Sequence, residues 1–179
     1  MINKILIFLG LLLVALAERL WFDLGPNIEL IMVASVLASM YLGRKWGASL
    51  AVVALALSDL VLGNTMIMLF TWSAFFVIGF NGRWINKWKG GRRIVAGSGY
   101  GLVSALGFYF YTNFGVWLIT PLYEKTFGGL IKCYVMALPF LRLHAVSSVF
   151  LVGGGVAILD LVRFITRKRT LLYQATNLS

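Results

Sequence analysis

The residues that could do chemistry are few, and the carboxylates among them carry most of the information. Asp59 and Asp160 each lie inside or at the edge of a long apolar run, where an ionised group needs a charged partner or water. Arg163 follows Asp160 by three residues and can pair with it on one helix face, which favours a structural role. Asp59 has no such neighbour in the sequence. It could cap the turn before Gly63 or contact a solute, and both interpretations stay open.

Aromatic and hydrogen-bonding residues collect in the segments that we expect on the outer side of a membrane. Aromatic rings can stack on a flat ring compound, while amides and carboxylates fix its orientation. The alternative is an aromatic belt with ordinary loop polarity, because no spacing in this set is diagnostic. The predicted substrate-binding residues are Asn27, Glu29, Asp59, Asn113, Trp117 and Tyr123.

Signatures of enzymes are missing from the sequence. It contains no HExxH, no GxSxG and no P-loop, and His144 is its one histidine. Cys133 is its one cysteine, which fits a packing residue better than a ligand. We therefore expect no enzyme activity, no metal and no cofactor. Without a P-loop the chain cannot itself draw energy from ATP, although proton-coupled transport through Asp59 stays open.

The composition predicts an all-α polytopic protein of the cytoplasmic membrane. Of the 179 residues, 60% are hydrophobic and 12% are charged, more apolar side chain than one soluble core could bury, so the lipid bilayer must cover the rest. The net charge of +10 lies in short clusters between apolar runs. That arrangement is typical of membrane topology and does not predict nucleic-acid binding.

Apolar runs divide the chain into six short predicted transmembrane helices. With a cytoplasmic N-terminus, 12 of the 16 basic residues fall inside, so both termini are expected in the cytoplasm. Residues 1–169 are predicted to form one helical domain, and 170–179 a short cytoplasmic tail. The first run also fits a signal peptide ending at Ala15-Leu16-Ala17, but we expect it to be retained. The predicted spans are 4–17, 28–42, 47–62, 65–80, 94–113 and 143–165.

The stretch 114–142 is apolar but interrupted by charges, glycines and prolines such as Pro121 and Pro139. We expect it to lie at the outer interface as a short helix before the last span. A crossing helix there would place the basic residues near the C-terminus outside, against the positive-inside rule.

Small residues recur every four positions at Ser35, Ser39, Gly43 and Gly47. Such a ladder lets helix backbones approach closely. It could pack helices of this chain together or form a docking face for a partner subunit. The second interpretation gives an alternative function, a non-transporting structural or assembly protein that binds partner helices.

Three stretches, Gly25 to Glu29, Gly43 to Gly47 and Ser58-Asp59-Leu60, resemble the substrate-capture (S) components of energy-coupling-factor (ECF) vitamin transporters. The chain also resembles an uncharacterised bacterial family of small membrane proteins related to them, in Ser58-Asp59, Thr112 to Leu118, Tyr123 to Gly129, Cys133-Tyr134 and Leu138-Pro139-Phe140. The resemblance implies a six-helix bundle with cytoplasmic termini and a solute pocket near the outer face. It also implies a vitamin-like micronutrient as the solute, with a transmembrane coupling subunit and ATPases as partners for uptake.

Overall fold

In the computed structural model, the described residues form six α-helices and no β-strand. They are residues 4–22, 24–25 and 28–176, the last seven by backbone only. A π-helical turn, Glu18–Phe22, continues the first helix, and a 3-10 segment, Gly82–Lys87, follows the fourth. The predicted all-α class and the count of six helices are confirmed. The helices are α1 (Lys4–Ala17), α2 (Leu30–Tyr41), α3 (Arg44–Leu62), α4 (Met68–Asn81), α5 (Gly91–Ile119) and α6 (Phe127–Thr176).

Four of these helices are long and apolar enough to cross a membrane. They are α1 with its π-helical turn, α3, α5 and α6. Helices α2 and α4 have 12 and 14 residues, or about 18 and 21 Å at 1.5 Å per residue, against a hydrocarbon core of about 30 Å. The structure therefore confirms six helices, but only four of them have the length and apolar composition of a membrane span.

The interfacial helix predicted in residues 114–142 does not exist as a separate element. Helix α5 continues to Ile119, and α6 begins at Phe127 and includes Pro139 in its interior. A proline in an apolar helix is tolerated when neighbouring groups satisfy the backbone around it. The Tyr109 hydroxyl of α5 donates a hydrogen bond of 2.6 Å to the carbonyl of Tyr134, one residue before the carbonyl whose helical donor this proline lacks. Lys132 is exposed, so its charge does not interrupt the helix.

Helix α2 lies at the centre of the bundle. Nine of its twelve residues are buried, and a helix that is apolar on all sides must be covered by neighbours. Its side chains form the core with residues of α3, α4 and α6: Ile31, Met32, Val36, Leu50, Leu55, Phe75, Val152 and Val156.

The small-residue ladder packs against helices of the same chain. Ser35 and Ser39 are fully buried, and a Cβ added at Gly47 would overlap the carbonyl of Gly79 in α4. Gly43 has a φ of +124° in the turn that starts α3, a conformation that favours glycine. The face predicted for a partner, from Ser35 to Gly47, is therefore filled by the chain's own helices.

Helices α5 and α6 form a long antiparallel hairpin. A Cβ at Gly101 would overlap the carbonyl of Ser148, so the two backbones touch at this position. Nearer the start of α5, Arg93 pairs with Asp160 of α6 at 2.6 Å. We call this end of the bundle the Arg93 end. The opposite end, where α3 ends and α4 begins, is called the Arg19 end.

Candidate functional site

A cluster of charged side chains closes the Arg19 end of the bundle. The Arg19 guanidinium lies between two carboxylates, 3.3 Å from Asp59 Oδ1 and 3.6 Å from Glu29 Oε1. Arg19 belongs to the π-helical turn, Asp59 to the last turns of α3, and Glu29 directly precedes α2. The ion pairs thus join three parts of the chain that are distant in sequence.

Asp59 accepts more than one hydrogen bond. The indole Nε1 of Trp72 donates to Asp59 Oδ2 at 2.7 Å, and the Asn64 amide donates to the same oxygen. The Asp59 side chain is 8% exposed, whereas Arg19 and Glu29 keep about a quarter of theirs exposed. Asp59 is therefore the buried anchor, and the other two can be reached from outside. These five residues are called the Arg19 cluster below.

Two polar atoms of the cluster are buried without a hydrogen-bond partner in the described part of the chain. They are Arg19 Nε and Glu29 Oε2. Burial raises the pKa of Glu29 above its ordinary value, the Arg19 charge acts in the opposite direction, and the Glu18 and Asp59 carboxylates add to the rise. A buried donor and a buried acceptor within one cluster could be satisfied by a polar solute or by water.

The π-helical turn positions Arg19 and, next to it, Glu18. Glu18 lies beside Arg19 in this turn and is itself buried. Its Oε2 accepts a hydrogen bond of 3.0 Å from the backbone N–H of Leu30, the first residue of α2. A carboxylate at the start of a helix satisfies a free N–H and interacts favourably with the helix dipole. Glu18 thereby fixes the start of α2 next to the cluster.

The six predicted substrate-binding residues separate into two groups. Glu29 and Asp59 meet at Arg19, as described above. Asn27 lies outside the described residues. Asn113, Trp117 and Tyr123 belong to the hairpin of α5 and α6, and among the described residues their contacts lie within this hairpin and not at the Arg19 cluster.

The hairpin residues Trp117 and Asn113 use their polar atoms for hydrogen bonds within the hairpin. The Trp117 indole donates to the carbonyl of Glu124 at 2.9 Å, and the Lys125 ammonium lies 5.9 Å from the centre of its ring. The Asn113 amide donates to the carbonyl of Tyr109 at 2.8 Å. Tyr123 lines a cavity of about 370 Å³ formed by the turn between the two helices. Trp117 and Tyr123 thus belong to this turn, whereas Asn113 bonds within α5 and lines a different cavity with His144.

Arg19 is the residue that the sequence did not single out. It is one of the four basic residues that the predicted topology leaves outside, and its partner Asp59 lies 40 positions away. An arginine and an aspartate at corresponding ends of two apolar runs are the one sequence signal of this pair. At the opposite end, Arg163 does lie 4.0 Å from Asp160, but Arg93 is the closer partner.

Metal chemistry has no candidate in this part of the molecule. Among the described residues, no group of three His, Cys, Asp or Glu side chains could hold a metal ion. The Arg19 cluster offers charge and hydrogen bonds, with an indole edge beside them, and this combination suits binding of a polar organic molecule.

Comparison with known proteins assigns a family without an activity. Neither the curated proteins nor the solved structures include a match to this chain. A family model described as "Family of unknown function (DUF6580)" matches residues 1–169, and the chain therefore belongs to the DUF6580 family.

Proposed function

We propose that this protein is a multi-pass component of the cytoplasmic membrane that binds a small polar solute at the Arg19 cluster for uptake. The observation that carries the proposal is the Arg19 guanidinium between Asp59 and Glu29, with two buried polar atoms that have no hydrogen-bond partner among the described residues. Ionisable groups at the edge of apolar helices are costly, and such groups mark solute and ion sites.

The four long apolar helices support the membrane part of this proposal. Leu13, Val103 and Phe150 are among the many large apolar side chains that are at least half exposed. Lipid would cover these side chains, as it covers the outer surface of helix bundles in membranes. The short helices α2 and α4 would complete six spans by local thinning of the bilayer and by burial inside the bundle.

Orientation follows from charge. The Arg93 end carries Arg44, Lys45, Arg83, Lys87 and Arg92, and the positive-inside rule puts such clusters in the cytoplasm. The Arg19 cluster then faces outward, where a solute arrives. Arg19 and Glu29, each about a quarter exposed, would make first contact with it.

The finer part of the proposal is that the solute is a vitamin-like micronutrient and that uptake depends on a coupling subunit and ATPases. The resemblance to ECF substrate-capture components supports it, and so does the sequence, which has no P-loop of its own. The sequence also resembles an uncharacterised family of small membrane proteins, and the match to a family of unknown function agrees with that second resemblance. The alternative function was a structural or assembly protein that binds partner helices through the small-residue ladder. The buried position of Ser39 in this ladder disfavours it, because the ladder packs inside the chain.

A thermal-shift panel tests the proposal. Purified protein is unfolded with and without each of a set of water-soluble vitamins, together with Asp59→Asn and the exposed-site control Arg142→Gln. We expect one compound to raise the melting temperature of the wild type and of Arg142→Gln, with the shift lost in Asp59→Asn. A panel in which no compound shifts the wild type, or in which Asp59→Asn responds fully, would contradict it.

A further inference from the structure

An apolar groove runs along the surface between α4 and α5. It consists of two adjoining cavities of about 860 and 570 Å³, which share Asn81, Tyr100 and Val103 as lining residues. A Cβ added at Gly99 or Gly107 would meet no atom within 4 Å, so two glycines of α5 leave the groove open. We call this feature the α4–α5 groove.

One end of the α4–α5 groove is strongly basic. Arg44 and Arg92 line it at the Arg93 end of the bundle. Arg44 also lines a neighbouring cavity of about 700 Å³, together with Lys45, Arg83 and Lys87. The ion pairs of the described residues involve Arg19, Arg93 and Arg163 but none of these five. Their positive charge is therefore available to an anion from outside the chain.

Two tryptophans stand where the basic end meets the apolar part. Trp84 and Trp88 both line the groove, with ring centres 4.3 Å apart in an edge-to-face arrangement. Lys87 lies 5.6 Å from the centre of the Trp84 ring. Tryptophan is enriched at the level of lipid head groups because its ring is apolar and its N–H is polar. The two tryptophans thus indicate the same head-group position as the arginines do, from a separate observation.

The length of the groove matches one acyl chain. The larger cavity follows α5 from Gly91 to Val103, about 18 Å of helix at 1.5 Å per residue, close to the half-thickness of a hydrocarbon core of about 30 Å. From Val95 onward its α5 lining is apolar or small, apart from the Tyr100 hydroxyl, which donates to the carbonyl of Ile78 at 2.6 Å. The tyrosine thus presents its ring to the groove.

We propose that the α4–α5 groove binds an anionic phospholipid of the cytoplasmic leaflet, with its phosphate between Arg44 and Arg92 and one acyl chain along α5. Guanidinium groups recognise phosphate through paired hydrogen bonds, and basic pockets between helices at the cytoplasmic side of membrane proteins hold anionic head groups. A zwitterionic lipid has the same tails but carries a compensating positive charge. The lipid head group, and not the tail alone, is therefore selected.

This inference rests on the membrane placement in the proposed function but not on solute binding. Native mass spectrometry tests it, on full-length protein exchanged into detergent that contains phosphatidylglycerol or phosphatidylcholine with identical acyl chains. We expect the wild type to retain phosphatidylglycerol about thirtyfold more than phosphatidylcholine, as two arginine contacts imply. In Arg44→Gln/Arg92→Gln that preference should disappear. In Gly99→Leu, retention of both lipids should fall, because the side chain fills the groove.

Matched controls accompany each variant. Arg167→Gln removes an exposed cytoplasmic-end arginine of α6 outside the groove, and Gly154→Leu adds the same bulk at a glycine of α6 with open space. Both should retain phosphatidylglycerol like the wild type, and the melting temperature of every variant is measured to verify folding. Equal retention of the two lipids by the wild type would overturn the inference, as would an equal loss in Arg167→Gln.

Free phosphate is distinguished by competition. Glycerol 3-phosphate should leave the bound lipid in place, since without a tail it lacks the apolar half of the site. Displacement of the lipid by glycerol 3-phosphate would overturn the inference in favour of a soluble-anion site. The solute panel serves as the separate readout: a normal thermal shift in a protein that retains no lipid rejects this inference and leaves the proposed function intact.

Discussion

Arg19 and Asp59, forty residues apart in sequence, form a 3.3 Å ion pair that joins the end of α1 to the end of α3. Asp59 is nearly buried while Arg19 is about one quarter exposed. The pair therefore does two things at once. It holds two helices together, and it presents a guanidinium group, flanked by Glu29, at the surface of the bundle.

The first prediction concerns the strength of this pair. Asp59→Asn should lower the free energy of unfolding by about 2 kcal/mol, less than the 3 to 5 kcal/mol for breaking a fully buried pair, because Arg19 is partly solvated. A double-mutant cycle with Arg19→Gln should give a coupling of about 1 kcal/mol or more. Titration with denaturing detergent in mixed micelles measures both. Arg142→Gln, at an exposed position, should change stability by less than about 0.5 kcal/mol. Strictly additive effects of the two single substitutions would contradict the ion pair between Arg19 and Asp59.

A second prediction follows from Glu29, whose pKa is raised by burial above its ordinary value of 4.5. A carboxyl with a raised pKa in the folded state favours folding below its unfolded pKa, and this contribution is lost as pH rises through the folded value. Glu29→Gln imitates the protonated form. It should therefore melt above the wild type at pH 8, with the difference shrinking toward pH 4.5. Melting curves of both proteins across this range provide the measurement, and a Glu29→Gln deficit that is constant with pH would refute it.

The close contact between α5 and α6 gives a third prediction. Gly101→Ala should destabilise the protein by about 1 to 3 kcal/mol, since the new methyl group overlaps the backbone of Ser148. Gly107→Ala is the matched control on the same helix, where a Cβ meets open space. It should be neutral or stabilise by about 0.5 to 1 kcal/mol through helix propensity. Equal effects of the two changes in the same unfolding assay would argue against this packing.

Orientation yields a fourth prediction. Cys133 is buried, so the wild type should react little with a membrane-impermeant maleimide. Leu122→Cys, between α5 and α6 at the Arg19 end, should be labelled in intact cells, and Lys89→Cys at the Arg93 end only after lysis. Both positions are exposed. Labelling of Lys89→Cys in intact cells would mean that the proposed orientation is inverted.

The sequence predicts the helices well because apolar runs and turn residues are local signals. The boundaries of α1, 4–17, agree with the prediction, and those of α2 and α4 differ from it by one to three residues. The hairpin is where local signals mislead. Pro139 and the exposed Lys132 suggested a break, but α6 is continuous through this region, where Tyr134 is hydrogen-bonded to α5.

For a related reason, the sequence predicts individual residues of the candidate site but not how they come together. Asp59 and Glu29 stand out as acids next to apolar runs, whereas their meeting at Arg19 depends on how three helix ends converge. The Trp72 indole that binds Asp59 belongs to another helix, and no spacing in the sequence relates the two. The aromatic group at Trp117 had the expected composition, but its polar atoms bind the backbone of its own turn.

Native mass spectrometry of the purified protein tests the central claim, solute capture at the Arg19 cluster, most directly. The wild type and Arg19→Gln are purified in parallel from cells, together with Arg142→Gln as the control. The account predicts one co-purified small molecule on the wild type and on Arg142→Gln that is absent from Arg19→Gln. An identical spectrum for wild type and Arg19→Gln, with or without a bound molecule, would contradict it.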